Sequence, residues 1–453
     1  MSDAPKLTQG PVSSGLIHLT IPMILGISSS LVAAIFETYL IGLIGTNELA
    51  AYSFTFPVIG ALQSISLGLS IGLSSVLARS IGGGNQTEIK RLATDGLLLM
   101  TLVMVTVAIV GTLTIKPLFT VMGAGPETSP IIYEFMGIWY LGLLFFTLPQ
   151  MGANALRAKG DARLSGILMV GGAIMQMILD PILILGLGGF PQLGVAGAAW
   201  AMLISRVLLC GLTFYMLVYR EDLIELTKPV LSVCIQSWKR IFAVGIPATA
   251  TNLIGPVSTA IIVSMLAGYG TEAVAGFGIA SRLEALSVIP LFALSASIGP
   301  FVGQNWGADR RDRANDAMKL AFSWAMLWGF VIGGIFFFAH EPIGQLFDDN
   351  PEVTAYTSFY LMIVPFSYGA WGVLMMASAT FNSLGKPLFS TTMSLIRMFA
   401  LYVPLAFIGE HFWGAYGIFG AAAASNLIMG LLSFLWNRRV YGPMIEDLSK
   451  HIN

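Results

Sequence analysis

The chain has 453 residues, of which 56% are apolar and only 10% charged, where soluble proteins carry about 25% charged residues. With 50 glycines as well, a residue commoner in membrane-spanning helices than in soluble ones, a water-soluble globule is excluded. The net charge of −1 leaves no basic footprint for nucleic acid, and the two cysteines, Cys210 and Cys234, form no CxxC pair, which excludes a disulfide scaffold or a cysteine-ligated zinc site.

A membrane-spanning helix needs about 20 apolar residues. The N-terminal stretch MSDAPKLTQGPVSSG is polar, and the apolar run that follows is too long for a signal peptide, so it reads as the first span. Runs bounded by charge, Gly or Pro then predict twelve spans in all, at 15–44, 50–80, 92–118, 129–152, 164–187, 194–219, 240–268, 273–304, 315–339, 353–384, 388–409 and 415–437. Of the 23 Lys and Arg, all but Lys116, Arg206, Arg282 and Arg397 fall in the even-side loops and tails. Excess Lys and Arg mark the cytoplasmic side, so both termini are expected in the cytoplasm.

The chain repeats itself. Ile21-Pro22 recurs as Ile246-Pro247, GTNELAA from Gly45 recurs as GTEAVAG from Gly270, Gly82 meets Gly307 and Gly160 meets Gly385, all at a shift of 225. Near the end the shift becomes 223, where Gly194 and Gly197 meet Gly417 and Gly420. Six spans bring the chain back to the same side, so the halves are parallel repeats about an axis along the membrane normal. In transporters that arrangement puts the substrate path between the halves. The expected fold is all-α and polytopic, twelve helices in two six-helix lobes: 1–219 as the N-lobe, 220–239 as a linker with a helix on the cytoplasmic surface, and 240–453 as the C-lobe.

Enzyme signatures are missing. There is no GxxxxGK[ST] phosphate cradle and no HExxH, and the four histidines fall at span ends or in tails. Any transport then draws on an ion gradient or on the substrate's own gradient, with no cofactor. Ionisable groups at membrane depth are expensive and mark functional sites. Glu37 lies in span 1 and Asp180 in span 5, with Gln176 four residues before Asp180 on the same helix face. Their repeat mates, Ile262 and Val403, are both apolar. A cation site confined to the first half and lined by Glu37, Asp180 and Gln176 is therefore expected, with Pro22 and Pro181 as places where spans 1 and 5 bend. Glu134 reads as interfacial, and Glu284 either as the partner of nearby Arg282 or as a gating residue. Arg206 and Arg397 lie near mid-span. Phe36, Tyr39, Trp139, Tyr140, Met151 and Met175, with Met177, read mostly as packing; those that reach a cavity, together with Arg206, would give an adaptable wall for flat cations.

The stretch ETYLIGLIGTNELAAYSFTFP, running from Glu37 to Pro57, resembles the acidic-residue and Pro pattern of the multidrug and toxic compound extrusion (MATE) family. ALRAKGD and its repeat mate FNSLGKP resemble that family's loops after spans 4 and 10, and the likeness runs along essentially the whole chain. LDPILI in span 5 resembles the DinF-like branch, which puts its coupling carboxylates in the first lobe; Asp180 then takes the place of the branch's span-5 aspartate and Glu37 that of its span-1 aspartate. The other main bacterial branch uses acidic residues in spans 7 and 10, and here no Asp or Glu stands between Pro247 and Thr271 or between Val353 and Gly409. Glu37 and Gln176 are each one methylene longer than the usual residue, which loosens a sodium cage and suits a proton carrier.

The resemblance implies a secondary antiporter of the bacterial inner membrane. It would export amphipathic, mostly cationic organic compounds in exchange for H⁺, with Na⁺ at Glu37 and Asp180 as the alternative ion. Membrane lipids are its expected surroundings and a monomer its expected state. A flippase for lipid-linked saccharides and a membrane-embedded enzyme are the rival readings.

Overall fold

The computed structural model describes residues 7–225 and 231–449, with the backbone alone for 441–449. Among the described residues there is no strand. The helices are α1 (Val12–Ile44), α2 (Thr46–Gly83), α3 (Gln86–Val121), α4 (Ser129–Lys159), α5 (Ala162–Leu185), α6 (Gly194–Tyr215), α7 (Leu231–Leu266), α8 (Thr271–Ser287), α9 (Ile289–Gly307), α10 (Arg311–Phe347), α11 (Pro351–Ile363), α12 (Tyr368–Ser383), α13 (Pro387–Leu395), α14 (Val403–Trp413) and α15 (Ala415–Ser449). Among these residues eleven helical stretches are long and apolar enough to cross a membrane, and the twelfth crossing is the pair α8 and α9, bent by 43°. The expected all-α architecture with twelve spans is the one observed.

Short polar residues punctuate the chain. Asn85 accepts a hydrogen bond from the Glu88 amide at 3.2 Å and starts α3, and Asp161 does the same for Leu164 at 2.9 Å to start α5. Gly160 ends α4 at φ 103°, and its repeat mate Gly385 follows α12 at φ 72°. A left-handed residue is needed at both places, and glycine adopts it without strain.

The chain divides into two compact units. Among the described residues the first holds Ile21–Thr249 and the second holds Leu7–Thr20 and Ala250 onward. Both cuts fall inside a helix, α1 and α7, within about a turn of the repeated Ile-Pro pair. They lie away from the lobe boundaries at 219 and 240 read from sequence, and the reason lies in two docked segments. In the second unit Gln304 Oε1 accepts from the Leu7 amide at 3.2 Å, Asn305 Nδ2 donates to the Leu7 carbonyl at 3.1 Å, and Arg313 Nη1 donates to the Gly10 carbonyl at 2.7 Å.

In the first unit the start of α7 is fixed to α3. The buried Asp95 carboxylate accepts from Ser237 Oγ at 2.5 Å and from Cys234 Sγ at 3.2 Å, while Trp238 Nε1 donates to the Asp95 carbonyl at 2.9 Å. Arg240 pairs with Glu88 at 2.6 Å. The surface helix expected over 220–239 is therefore not found as such. Met216–Arg220 form a wide π-turn ending span 6, residues 226–230 lie outside the described residues, and from Leu231 the chain is already α7. Polar side chains that read as a solvated face are taken up by α3.

Small residues set the helix spacing in each unit. A Cβ on Gly197 would collide with the Leu183 carbonyl, so α6 meets α5 backbone to backbone, and Gly417 of α15 meets Gly409 of α14 in the same way. Close approach through small residues is how membrane helices associate, because lipid provides no hydrophobic drive. The first unit's core is filled from α2, α3, α4 and α6, with Leu73, Met100, Phe119, Phe135 and Met151 enclosed.

The two halves differ in one respect that the repeat hides. In the second unit three spans are interrupted: between α8 and α9 at Val288, between α11 and α12 by a tight 3₁₀ turn at Val364–Ser367, and between α13 and α14 by a π-turn at Ile396–Tyr402. Each break has a proline at or just after it, Pro290, Pro365 and Pro404, which removes a backbone donor and crowds the preceding turn. Their counterparts α2, α4 and α5 run unbroken. Pro22 and Pro181 also lie inside α1 and α5 without interrupting either helix.

Candidate functional site

Glu37, Gln176 and Asp180 come together. Glu37 is 2% exposed, Gln176 5% and Asp180 0%. Gln176 Nε2 donates to Glu37 Oε2 at 2.9 Å, which joins α1 to α5. The remaining Glu37 oxygen, Oε1, and both Asp180 oxygens have no hydrogen-bond partner among the described residues. Asp180 and Glu37 act on each other through space, and Tyr52 of α2 and Arg206 of α6 also act on Glu37. Two ionised carboxylates in dry surroundings with three unmatched oxygens are costly by several kcal/mol. The arrangement is relieved when a proton or a cation is taken up.

Tyr52 and Arg206 enter for different reasons. Tyr52 is 6% exposed and lies edge-on to Phe135 at 5.5 Å and Phe56 at 4.8 Å, with its hydroxyl near enough to act on Glu37. Its repeat mate is Phe277, so the hydroxyl beside the carboxylates occurs in one half only. The Tyr–Phe difference between the two repeats is the sequence signal that marks it. The Arg206 guanidinium lies 4.9 Å above the Phe146 ring, in a narrow cleft shared with Trp139 and Met202. Its Nε has no hydrogen-bond partner among the described residues.

The other wall candidates are scattered. Met151 is fully enclosed, and Trp139 and Tyr140 are buried edge-to-face at 5.9 Å, so these three act as packing in this structure. The Tyr140 ring fills the space that the missing side chain of Gly111 leaves open. Tyr39 and Met175 are exposed and Phe36 is half-buried. Glu134 is exposed five residues into α4, in keeping with an interfacial place. Glu284 does not pair with Arg282, because residues two apart point to opposite sides of a helix. It accepts instead from the Tyr360 hydroxyl at 2.5 Å, and Arg397 acts on it through space. A cavity of about 680 Å³ in the second unit, lined by Phe359, Leu405, Ile408, Trp413 and Tyr416, carries no ionisable carboxylate or cation. No cluster of three or more His, Cys, Asp or Glu suited to a metal ion occurs among the described residues.

Comparisons with known proteins agree with this layout. The MatE family profile matches residues 22–182 and 247–408, one block in each repeat. A FAD transporter of Shewanella oneidensis is 34% identical over 444 residues, covering 98% of each chain. The probable multidrug resistance protein YoeA of Bacillus subtilis is 25% identical over 419 residues, covering 89% of each. The crystal structure of the Vibrio cholerae MATE transporter VcmN in its bent form superposes with a TM-score of 0.90 at 27% identity, over 95% of this chain and 97% of that one. Such proteins move solutes and do not transform them, which sets the enzyme reading aside. The chain belongs to the MATE family of membrane transporters.

Proposed function

We propose that the protein is a proton-coupled exporter of amphipathic, mostly cationic organic compounds, of the DinF-like branch, in a bacterial inner membrane with both termini cytoplasmic. Relatives named as multidrug exporters support the substrate class. The observation that carries the coupling is the buried pair Glu37 and Asp180 with its three unmatched carboxylate oxygens. A proton needs one of those lone pairs. A sodium ion needs several oxygens at once, and Gln176 turns its amide nitrogen rather than its oxygen toward Glu37, so H⁺ is favoured over Na⁺.

In the working cycle, outward-facing protein takes up protons at Glu37 and Asp180, their repulsion is relieved, and α1 and α5 close together and expel the bound compound. Pro22 and Pro181 are where each helix lacks a backbone bond and bends most easily. The emptied protein then returns its protons to the cytoplasm by alternating access. A ΔpH should drive uptake of a fluorescent cationic dye into proteoliposomes, and Glu37→Gln and Asp180→Asn should each abolish it. Unchanged uptake in both variants would overturn the assignment.

A second reading has its own support. The relative from Shewanella oneidensis, named as a FAD transporter, has the higher identity. Arginines stacked on aromatic rings, as Arg206 is on Phe146, suit a flat ligand that carries phosphates. Inhibition of dye export by micromolar FAD would favour a flavin dinucleotide as the cargo; indifference would leave the cationic class.

A further inference from the structure

The second unit holds a polar cluster that the mechanism above leaves unused. Glu284 stands one turn before the bend at Val288. Its carboxylate accepts from Tyr360 of α11 at 2.5 Å, and Tyr368 of α12, Tyr402 and Arg397 of the π-turn act on it from the neighbouring spans. Arg397 Nη1 donates to Asn426 Oδ1 at 2.9 Å, Asn426 Nδ2 donates to Ser367 Oγ at 3.0 Å, and the guanidinium lies 5.6 Å over Trp371. Tyr360, Tyr368, Tyr402, Asn426 and Ser367 are all buried.

Every interrupted span contributes to this one network. Glu284 belongs to the crossing that bends at Val288. Tyr360, Ser367 and Tyr368 sit on or beside the 3₁₀ turn. Arg397 and Tyr402 lie inside the π-turn. Broken helices and π-turns concentrate at sites that bind or switch, and an intramembrane carboxylate is expensive unless it has a task. The repeat also argues against a purely structural origin, since the mate of Glu284 is Ile59 and the unbroken α2 carries nothing comparable.

We infer that Glu284 is a second proton-binding site, independent of the first unit's carboxylates, and that its charge sets the geometry of the three broken spans. Ionised, it offsets Arg397 across the network and accepts from the Tyr360 hydroxyl. Once protonated, it leaves Arg397 uncompensated, and the weak points at Val288, Val364–Ser367 and Ile396–Tyr402 yield. Arg282, on the same helix, is exposed and takes no part. The inference deepens the proton-coupled reading and rests on it for the role in transport, whereas the site itself is open to direct observation.

pH-difference infrared spectra of the full-length protein in liposomes report protonated carboxyl groups in dry sites. A titrating C=O band that persists in the Glu37→Gln/Asp180→Asn double variant and disappears in Glu284→Gln supports the inference. Tyr360→Phe, which removes one donor and keeps the ring, should move the pH at which that band appears. Hydrogen-exchange protection, taken relative to the intrinsic amide rate at each pH, should fall on acidification at 285–292, 364–368 and 396–402 in the wild type and not in Glu284→Gln. If Glu284→Gln leaves every titrating band in place, or protection at those segments ignores both pH and the variant, the inference is overturned. Loss of the first-unit coupling shows separately, as dye uptake that survives the double variant, and leaves the infrared result intact.

Discussion

Phe146 and Trp371 stand 225 residues apart, at matching positions of the repeat, and each carries an arginine guanidinium over its ring. Arg206 reaches Phe146 at 4.9 Å from α6, whereas Arg397 reaches Trp371 at 5.6 Å from span 11, so non-matching helices provide the same contact. A stacked and desolvated cation is worth about 2 kcal/mol or more.

That contact separates the two cargo readings. Arg206→Gln removes a buried positive charge from the first unit. If the cargo is cationic, dye export is kept or improved. If it carries phosphates, FAD inhibition weakens by about tenfold, equivalent to ~1.4 kcal/mol. Dye flux with and without FAD, on the variant and on the wild type, decides between them.

Gln176→Ala removes the amide that donates to Glu37 at 2.9 Å. An ionised carboxylate deprived of its donor destabilises the fold by about 1–3 kcal/mol, while a protonated one needs the donor less. The thermal stability of the variant should therefore fall below wild type at alkaline pH and approach it on acidification. A deficit that is equal at all pH values would mean that Gln176 only packs.

The docking of α7 onto α3 is open to chemistry at Cys234, which is 1% exposed and bonded to Asp95. In a Cys210→Ser background, Asp95→Ala should raise the rate of maleimide labelling at Cys234 by about tenfold or more, because local opening is what exposes a buried thiol. Unchanged labelling would show that the hydrogen bonds to Ser237 and Cys234 do not hold the helix start in place.

Backbone contact between helices makes a prediction about stability alone. Gly197→Ala pushes a methyl group into the Leu183 carbonyl and should lower stability by about 1–3 kcal/mol. Gly211→Ala, where nothing lies within 4 Å, should leave it unchanged or slightly raise it. Thermal unfolding in detergent compares the two directly.

Much of this was legible in the residues. The repeated Ile-Pro pairs, the repeated glycines and the two carboxylates with apolar mates are sequence patterns, and in the structure Glu37, Gln176 and Asp180 lie together. The arginine contacts were not legible, because a cation at mid-span reveals its need for a partner but not which ring or amide provides it. Nearness along the chain offers Glu284 either Arg282 as a partner or a gating role, while Tyr360, 76 residues away, is the residue that donates to it in the fold. Asp95, which fixes Ser237 and Cys234, sits about 140 residues earlier in span 3, so the docking of the start of α7 shows only in the fold. Local patterns found the elements; long-range polar bonds required the fold.

The central claim is that the buried pair in the first unit carries protons. Its most direct test is proton uptake by the purified protein in weakly buffered solution as a cationic substrate dissociates, in the wild type and in the Glu37→Gln/Asp180→Asn double variant. The account predicts uptake in the wild type that is lost, or reduced to the share carried by Glu284, in the double variant. Equal uptake by the two proteins, or uptake of sodium in place of protons, would contradict it.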